Sequence, residues 1–323
     1  MIVVGGEALV DLVPTPGSAA GELGTLAPRL GGGPFNVAVA LGRLGVPVRF
    51  LSRVSTDHFG EALLRRLRLS GVDTALVQRG DEPTTLAVVG LAADGSARYT
   101  FHVAGTADRL VTDPGPLPGE VRAVSLGTLS LVLEPGATVY ETVLRREAAA
   151  GRLIALDPNV RPALVADPAA YRARFASWLP DVGLLKLSAE DAAWLTGDSD
   201  VDVLDAAREW REKGPAAVVL TRGAEGLAVL TGTGELVEVP AVRVPVVDTI
   251  GAGDTIQAAL LAWLYRAGAL SSAAVRELDA RAWGSALRFA AAAAARTCAR
   301  AGAEPPFASE LDEAARREWG ARG

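Results

Sequence analysis

The chain has 323 residues, half of them hydrophobic, and carries a net charge of −6. This is enough for one large α/β domain with a buried core, and the acidic balance argues against a nucleic-acid or anionic-membrane surface, whose footprint is a basic patch. Cys298 is the only cysteine, so an intrachain disulfide or multi-cysteine metal site is excluded, and His58 and His102 are too few and too far apart for a zinc site.

Met1 to Val4 lacks the basic start and apolar core of a signal peptide, and no apolar run approaches the ~20 residues of a membrane span, so a cytoplasmic protein is expected. Ile2 to Val4 reads as a short strand, followed by Gly5-Gly6-Glu7 and, a little further on, the carboxylate of Asp11. Pro14, Pro16 and Gly17 and the mixed segment to Leu30 favour irregular or edge structure over a helix. Gly31-Gly32-Gly33-Pro34-Phe35-Asn36 then precedes a helix through Val37, Ala40, Leu41 and Leu44 that ends at Gly45. Glycines placed there let the backbone approach a ligand closely, and the Asn36 amide can both donate to and accept from hydroxyls.

Val48 to Val54 reads as a strand, Asp57 to Gly60 opens a helix with His58 at its start, and Thr84 to Gly90 and Arg98 to Val103 flank the hairpin pair Asp94-Gly95. Val121 to Leu126 and Leu153 to Leu156 are strands separated by a helix through Thr138 to Ala150, a βαβ rhythm that implies a parallel sheet with ligand groups at its carboxyl ends. Asp157-Pro158-Asn159-Val160-Arg161-Pro162 lies at such an end, where Arg161 is either a donor fork for a ligand oxygen or a surface arginine in a rigid loop. Leu184 to Leu187 is a strand running into a capped helix with Ser188, Glu190 and Asp191. Ala217 to Leu220 leads into Thr221-Arg222-Gly223-Ala224-Glu225-Gly226, a hairpin turn when taken alone.

The most informative stretch is Val242 to Thr255. The β-branched run Val242 to Val247 suits a buried strand, and Ile256, Leu260, Trp263 and Leu264 recur at helical spacing, so Gly251-Ala252-Gly253 forms the turn and Asp254 falls in the first helical turn. Small residues at a helix start let N–H groups converge on an anion, aided by the helix dipole. A carboxylate there repels the anion unless it accepts a proton from the hydroxyl that attacks it. Phosphoryl transfer with Asp254 as base is the reading, against the plain alternative that Asp254 caps a helix. Ala286 to Gly302 is an alanine-rich helix.

The stretch DTIGAGD resembles the second signature of the PfkB, or ribokinase-like, carbohydrate kinases, and GGGPFNVAVALGRLG resembles the first. The resemblance runs on through Gly71-Val72-Asp73-Thr74 and covers nearly the whole chain. It implies a ribokinase-like three-layer α/β/α fold with a mostly parallel central sheet over residues 1–323 as a single kinase domain. It also implies a small β-sheet lid from about 12–30 and 84–105, which often pairs with a second subunit, so a homodimer is expected. ATP and magnesium are the implied cofactors. In this likeness Asp11, Gly32, Gly33 and Asn36 hold sugar hydroxyls with Arg161 assisting, while Gly251, Ala252 and Gly253 offer N–H groups to the transferring phosphoryl.

Several nucleotide and metal assignments follow from the same likeness. Lys186 and Ser188 match a Lys-x-Ser of fructokinase-like members, and Thr221, Gly223 and Gly226 match the family's T-x-G-x-x-G nucleotide loop. Ser188 stands where many members carry Asn and Asp191 where they carry Glu, with Glu190 adjacent, so either carboxylate is the one that organises magnesium through water. Asp248 is the residue implied for a monovalent cation such as K+. Ala291 stands where many relatives have Asn, and Pro306 where some potassium-dependent relatives have Ser.

A P-loop is excluded because neither lysine lies in GxxxxGK[ST], and Gly5-Gly6-Glu7 lacks the dinucleotide G-x-G-x-x-G. A sugar-binding regulator without turnover is the rival of another class. DPNxRP, Lys186-Leu187-Ser188 and Leu133-Glu134-Pro135 look most like fructokinases, whereas Phe101-His102-Val103 lacks the arginine those enzymes often show in the lid strand, so 2-keto-3-deoxygluconate, tagatose, ribose and nucleosides stay open as substrates. If Asp254 is the base, Asp254→Asn should lower turnover about a hundredfold or more, roughly 2.7 kcal/mol of transition-state stabilisation, and near-native turnover in the folded variant would refute the assignment.

Overall fold

The first strand, β1 (Ile2–Gly5), explains how one sheet separates two layers of helices. Ile2 and Val4 face one apolar cluster and Val3 faces another, so both faces of the strand are buried. In the computed structural model, which describes residues 1–15, 24–91 and 97–320, this strand is an interior strand of a nine-stranded sheet, flanked by β-strands on both sides.

The remaining strands are β2 (Leu9–Pro14), β3 (Leu26–Gly31), β4 (Val48–Ser55), β5 (Val77–Gly80), β6 (Thr85–Leu91), β7 (Ala97–His102), β8 (Ala123–Gly127), β9 (Leu153–Asp157), β10 (Leu184–Ser188), β11 (Ala217–Thr221), β12 (Leu227–Leu230) and β13 (Leu236–Val239). The large sheet runs β13-β12-β11-β10-β9-β8-β1-β4-β5 and is parallel from β11 to β5, with β12 and β13 antiparallel at one edge. The hairpin joining β11 to β12 is the Thr221 to Gly226 turn; the two strands after it were not anticipated.

Helices α1 (Gly33–Arg43), α2 (His58–Leu69), α7 (Ala252–Ala267), α8 (Ser272–Glu277), α9 (Ala280–Cys298) and α10 (Glu313–Gly320) cover the Ile2/Val4 face. The opposite face is covered by α3 (Gly136–Ala149), α4 (Pro168–Trp178), α5 (Ala189–Thr196) and α6 (Val203–Glu212). The three-layer α/β/α architecture is therefore the one expected. No helix among the described residues is long and apolar enough to cross a membrane.

A second sheet of four strands, ordered β3-β2-β6-β7, stands apart from the first. It corresponds to the expected lid, except that its first strand already starts at Leu9. The Asp94-Gly95 turn and much of the segment between β2 and β3 lie outside the described residues. Asp11 pairs with Ala87, and Ala87 with Phe101, so these three positions share one row across the small sheet.

Two readings need correction. Val242 to Val247 is neither a strand nor buried: Val246 is 65% and Val247 62% exposed. Pro240 and Pro245 lack the N–H donors a ladder needs, so β-branched composition alone does not make this segment a strand. Instead the Val247 and Asp248 N–H groups donate to Cys298 O at 2.8 and 3.2 Å. The alanine-rich helix, α9, begins at Ala280 and ends at Cys298, earlier at both ends than its composition suggests.

Asp57 caps α2, accepting from Gly60 N–H at 2.7 Å, and a Cβ on Gly60 would drive into the Ser55 carbonyl. Gly60→Ala should therefore lower stability by roughly 1–3 kcal/mol by overpacking; a denaturant midpoint equal to that of the native protein would show that this turn can yield.

Candidate active site

The site is assembled where two helix N-termini meet the carboxyl ends of the parallel strands. Gly32, at φ 106°, ends the chain's approach to α1, and a Cβ there would lie 2.7 Å from Glu7 O. Such a backbone suits glycine alone. The helix that follows starts with Gly33 and brings Asn36 into its first turn.

The other helix, α7, begins after Gly251, which is left-handed at φ 77° and packs against Ala303. Here the Ala252 N–H donates to Thr249 O at 3.2 Å. Gly253 and Asp254, by contrast, have amides without a carbonyl partner among the described residues. Of the three N–H groups expected to form the anion nest, that of Ala252 is thus engaged within the turn, and the Asp254 amide joins the open set.

Asn36 Nδ2 donates to Asp254 Oδ2 at 2.8 Å, holding together residues far apart in sequence. Oδ1 of Asp254 faces Gly33, whose absent Cβ would stand 3.4 Å from it and collide with Thr128 Oγ1. Burial raises the Asp254 carboxyl to about 6; the Asn36 hydrogen bond works against this rise, and the neighbouring Asp157 adds to it.

Behind this carboxylate sits a buried ion pair, Lys186 Nζ to Asp157 Oδ2 at 2.5 Å. Burial raises the Asp157 carboxyl and Lys186 opposes that rise. A Cβ on Gly253 would lie 3.5 Å from Lys186 Nζ, so the ammonium stands against the open amides of α7. Cation and amides together present positive charge and open N–H donors, a combination able to receive an anion.

Glu7, to which the sequence reading assigned no role, supports the glycine loop from beneath. Its Oε1 accepts from Gly33 N–H at 3.2 Å and its Oε2 from Ser130 N–H at 3.1 Å, and burial raises its carboxyl to about 7. The only sequence signal was a carboxylate directly after an apolar strand.

On the lid side, Asp11 lies beside Gly31, and burial raises its carboxyl to about 6, with Arg161 opposing. Arg161 Nη1 donates to Asn159 Oδ1 at 2.7 Å and to Asn159 O at 3.0 Å. Its guanidinium charge opposes the rise of both the Asp11 and the Asp254 carboxyl, so both lie within its electrostatic reach. Asn159 itself has φ 38°, and Thr128 has φ 60°. Two non-glycine residues in the left-handed region, at the ends of adjacent strands, mark a backbone shaped by the cleft.

The residues expected around the nucleotide and its metal are more dispersed. Ser188 caps α5 in a capping box with Asp191, whose Oδ1 also accepts from Val160 N–H at 2.7 Å. Asp191 thus accepts from three donors, whereas Glu190 is exposed and forms no ion pair among the described residues. Thr221 pairs with Ser188 across β10 and β11, placing both at one sheet end. Gly223 faces open space, while Gly226 at φ 100° makes room for the backbone of Val239 and Pro240. Asp248 accepts from Ile250 and Gly302 N–H groups at 3.0 and 2.8 Å, clamping the loop before α7 to the turn after α9.

The raised Asp254 carboxyl has a consequence for stability. Below its ordinary value of 3.8 both folded and unfolded states are protonated; as pH rises from there through about 6 the unfolded chain ionises first, and the fold loses stability. Asparagine cannot ionise. Asp254→Asn should therefore melt progressively higher relative to the native protein as pH goes from about 4 to about 7, and a difference independent of pH would rule out this electrostatic cost.

Residues 1–310 match the model of the pfkB family carbohydrate kinases. The chain is 41% identical over 284 residues to the fructokinase of Rhizobium leguminosarum bv. trifolii, covering 87% of this chain and 85% of that one. Among solved structures, the ATP-bound fructokinase of Xylella fastidiosa superposes with a TM-score of 0.87 at 28% identity, covering 98% of both chains. A fructokinase double mutant from Vibrio cholerae O395, bound to fructose, ADP and potassium, gives a TM-score of 0.78 at 25% identity over 94% of this chain and 93% of that one. The chain belongs to the pfkB family of carbohydrate kinases and is a phosphotransferase that acts on an alcohol group of a sugar.

Proposed function

We propose that the protein is an ATP-dependent fructokinase, with residues 1–323 working as a single kinase domain. The observation that carries the mechanism is the buried Asp254, pinned by Asn36 through one oxygen and leaving the other toward Gly33. In this reading a primary hydroxyl of the sugar enters beside Gly33 and gives its proton to Asp254 Oδ1 as it attacks the γ-phosphate. A carboxyl raised to about 6 is still ionised near neutrality and is a better base than an exposed aspartate. In a loose transition state the charge sits on the transferring oxygens, and the open amides of Gly251, Gly253 and Asp254 with the Lys186 ammonium would meet it.

Asp11, Gly32, Gly33 and Asn36 would bind the sugar, with Arg161 reaching across the cleft. Ser188, Thr221, Gly223 and Gly226 would border the nucleotide. Magnesium, when bound with ATP, supplies charge neutralisation between the β- and γ-phosphates. Either neighbouring carboxylate could meet its water shell: Glu190 is exposed, and Asp191, held by Ser188 and Val160, keeps acceptor capacity to spare. A monovalent cation would sit beside Asp248, a reading supported by the potassium bound to the V. cholerae fructokinase. The lid sheet would form the contact of a homodimer, and a cytoplasmic location fits an enzyme that draws on ATP.

Fructose is favoured because fructokinases stand among the relatives in both sequence and structure. The test is ADP release from ATP and magnesium with fructose, 2-keto-3-deoxygluconate, ribose and adenosine as acceptors. Fructose should exceed every other acceptor in kcat/KM by about tenfold or more. A different winning acceptor would overturn the substrate, and silence on all four with intact ATP binding would favour a sugar-binding regulator.

A further inference from the structure

We infer that Thr128 is a specificity-determining residue whose hydroxyl pairs with a sugar hydroxyl close to the one that is phosphorylated. This rests on the kinase reading above and extends it to a residue that neither signature stretch contains.

Three features of Thr128 point the same way. Its backbone is held at φ 60°, a conformation unfavourable for a β-branched residue, so something other than local preference selects threonine there. The loop around it is pinned on every side: Thr128 N–H donates to Pro158 O at 3.2 Å, Ser130 Oγ to Gly127 O at 2.5 Å, and Ser130 N–H to Glu7. Yet its own hydroxyl has no hydrogen-bond partner among the described residues, although the residue is only 7% exposed.

The direction of that hydroxyl follows from Gly33. The point where a Cβ of Gly33 would stand is crowded by Thr128 Oγ1 and lies 3.4 Å from Asp254 Oδ1. The free hydroxyl and the free oxygen of the base therefore border the same small space, the one left open by the glycine. A sugar whose reacting hydroxyl meets Asp254 Oδ1 brings its neighbouring carbons toward Thr128 Oγ1. A cleft hydroxyl shielded from bulk water on docking penalises an acceptor lacking the matching group, and so discriminates against deoxy analogues.

Steady-state kinetics of Thr128→Val, which keeps the shape and removes the hydroxyl, decide the matter. Sugar KM should rise about tenfold while ATP KM stays unchanged, and Thr128→Ser should restore most of the loss. With a set of monodeoxy sugars, the penalty of the valine variant should vanish for the one analogue that lacks the paired hydroxyl. If valine does not fold at this position, Thr128→Ala replaces it. Sugar KM and kcat within about twofold of the native protein in a folded hydroxyl-less variant would overturn the inference while leaving the kinase reading intact. Absence of turnover by the native protein on every sugar would overturn both.

Discussion

The hydrogen bond from Asn36 to Asp254 is the contact on which the rest of the site depends. It joins the first turn of α1 to the first turn of α7, so the two helix starts must be brought together before either can act. Everything beneath serves that approach. Gly32 lets the chain pass over Glu7, Glu7 holds the Gly33 and Ser130 amides, and Gly251 turns tightly against Ala303. Arg43 extends the brace, donating to Pro305 O and to Glu304 in the segment that follows Ala303.

Charge in this region is arranged against its own solvation. Asp254, Asp157, Glu7 and Asp11 all lie where burial favours the neutral carboxyl, and among them only Asp157 has a direct cationic partner, Lys186. Buried carboxylates of this kind lower stability at neutral pH, and their persistence is what a functional centre looks like. The Lys186 ammonium balances Asp157 while standing against the α7 amides, so one cation serves both the buried ion pair and the proposed phosphoryl site. This economy suits a chain with only two lysines.

The small sheet supplies what the large one cannot. The strand ends of β8 and β9 present Thr128 and Asn159 in strained backbone, while the row Asp11, Ala87 and Phe101 crosses the opposite wall of the cleft. Arg161, steadied by Asn159, links the two walls electrostatically. A sugar between them would contact a rigid floor and a separate sheet, an arrangement that permits closure without disturbing the core.

Local chemistry along the chain determined most of the architecture. Apolar runs two-sided enough for a parallel sheet, glycine-rich turns before helical periodicity, and capping residues such as Asp57 and Ser188 act within a few residues, and their consequences could be read directly. The same holds for the two helix starts bearing Asn36 and Asp254. What only the tertiary structure decided was set by partners distant in sequence. Val242 to Val247 has the composition of a strand, but at its end the Val247 and Asp248 N–H groups go to Cys298 O at the end of α9 and not to a sheet. The oxygens of Asp191 are shared between its own helix cap and Val160, a partner 31 residues away that no local pattern announces. Glu7 and Thr128 carried almost no signal, since a buried acceptor beneath a glycine loop and a hydroxyl aimed at a vacant Cβ position exist only once distant strands are side by side. Periodicity and turn chemistry are local energies; register, burial and free hydrogen-bonding capacity are properties of the assembled fold.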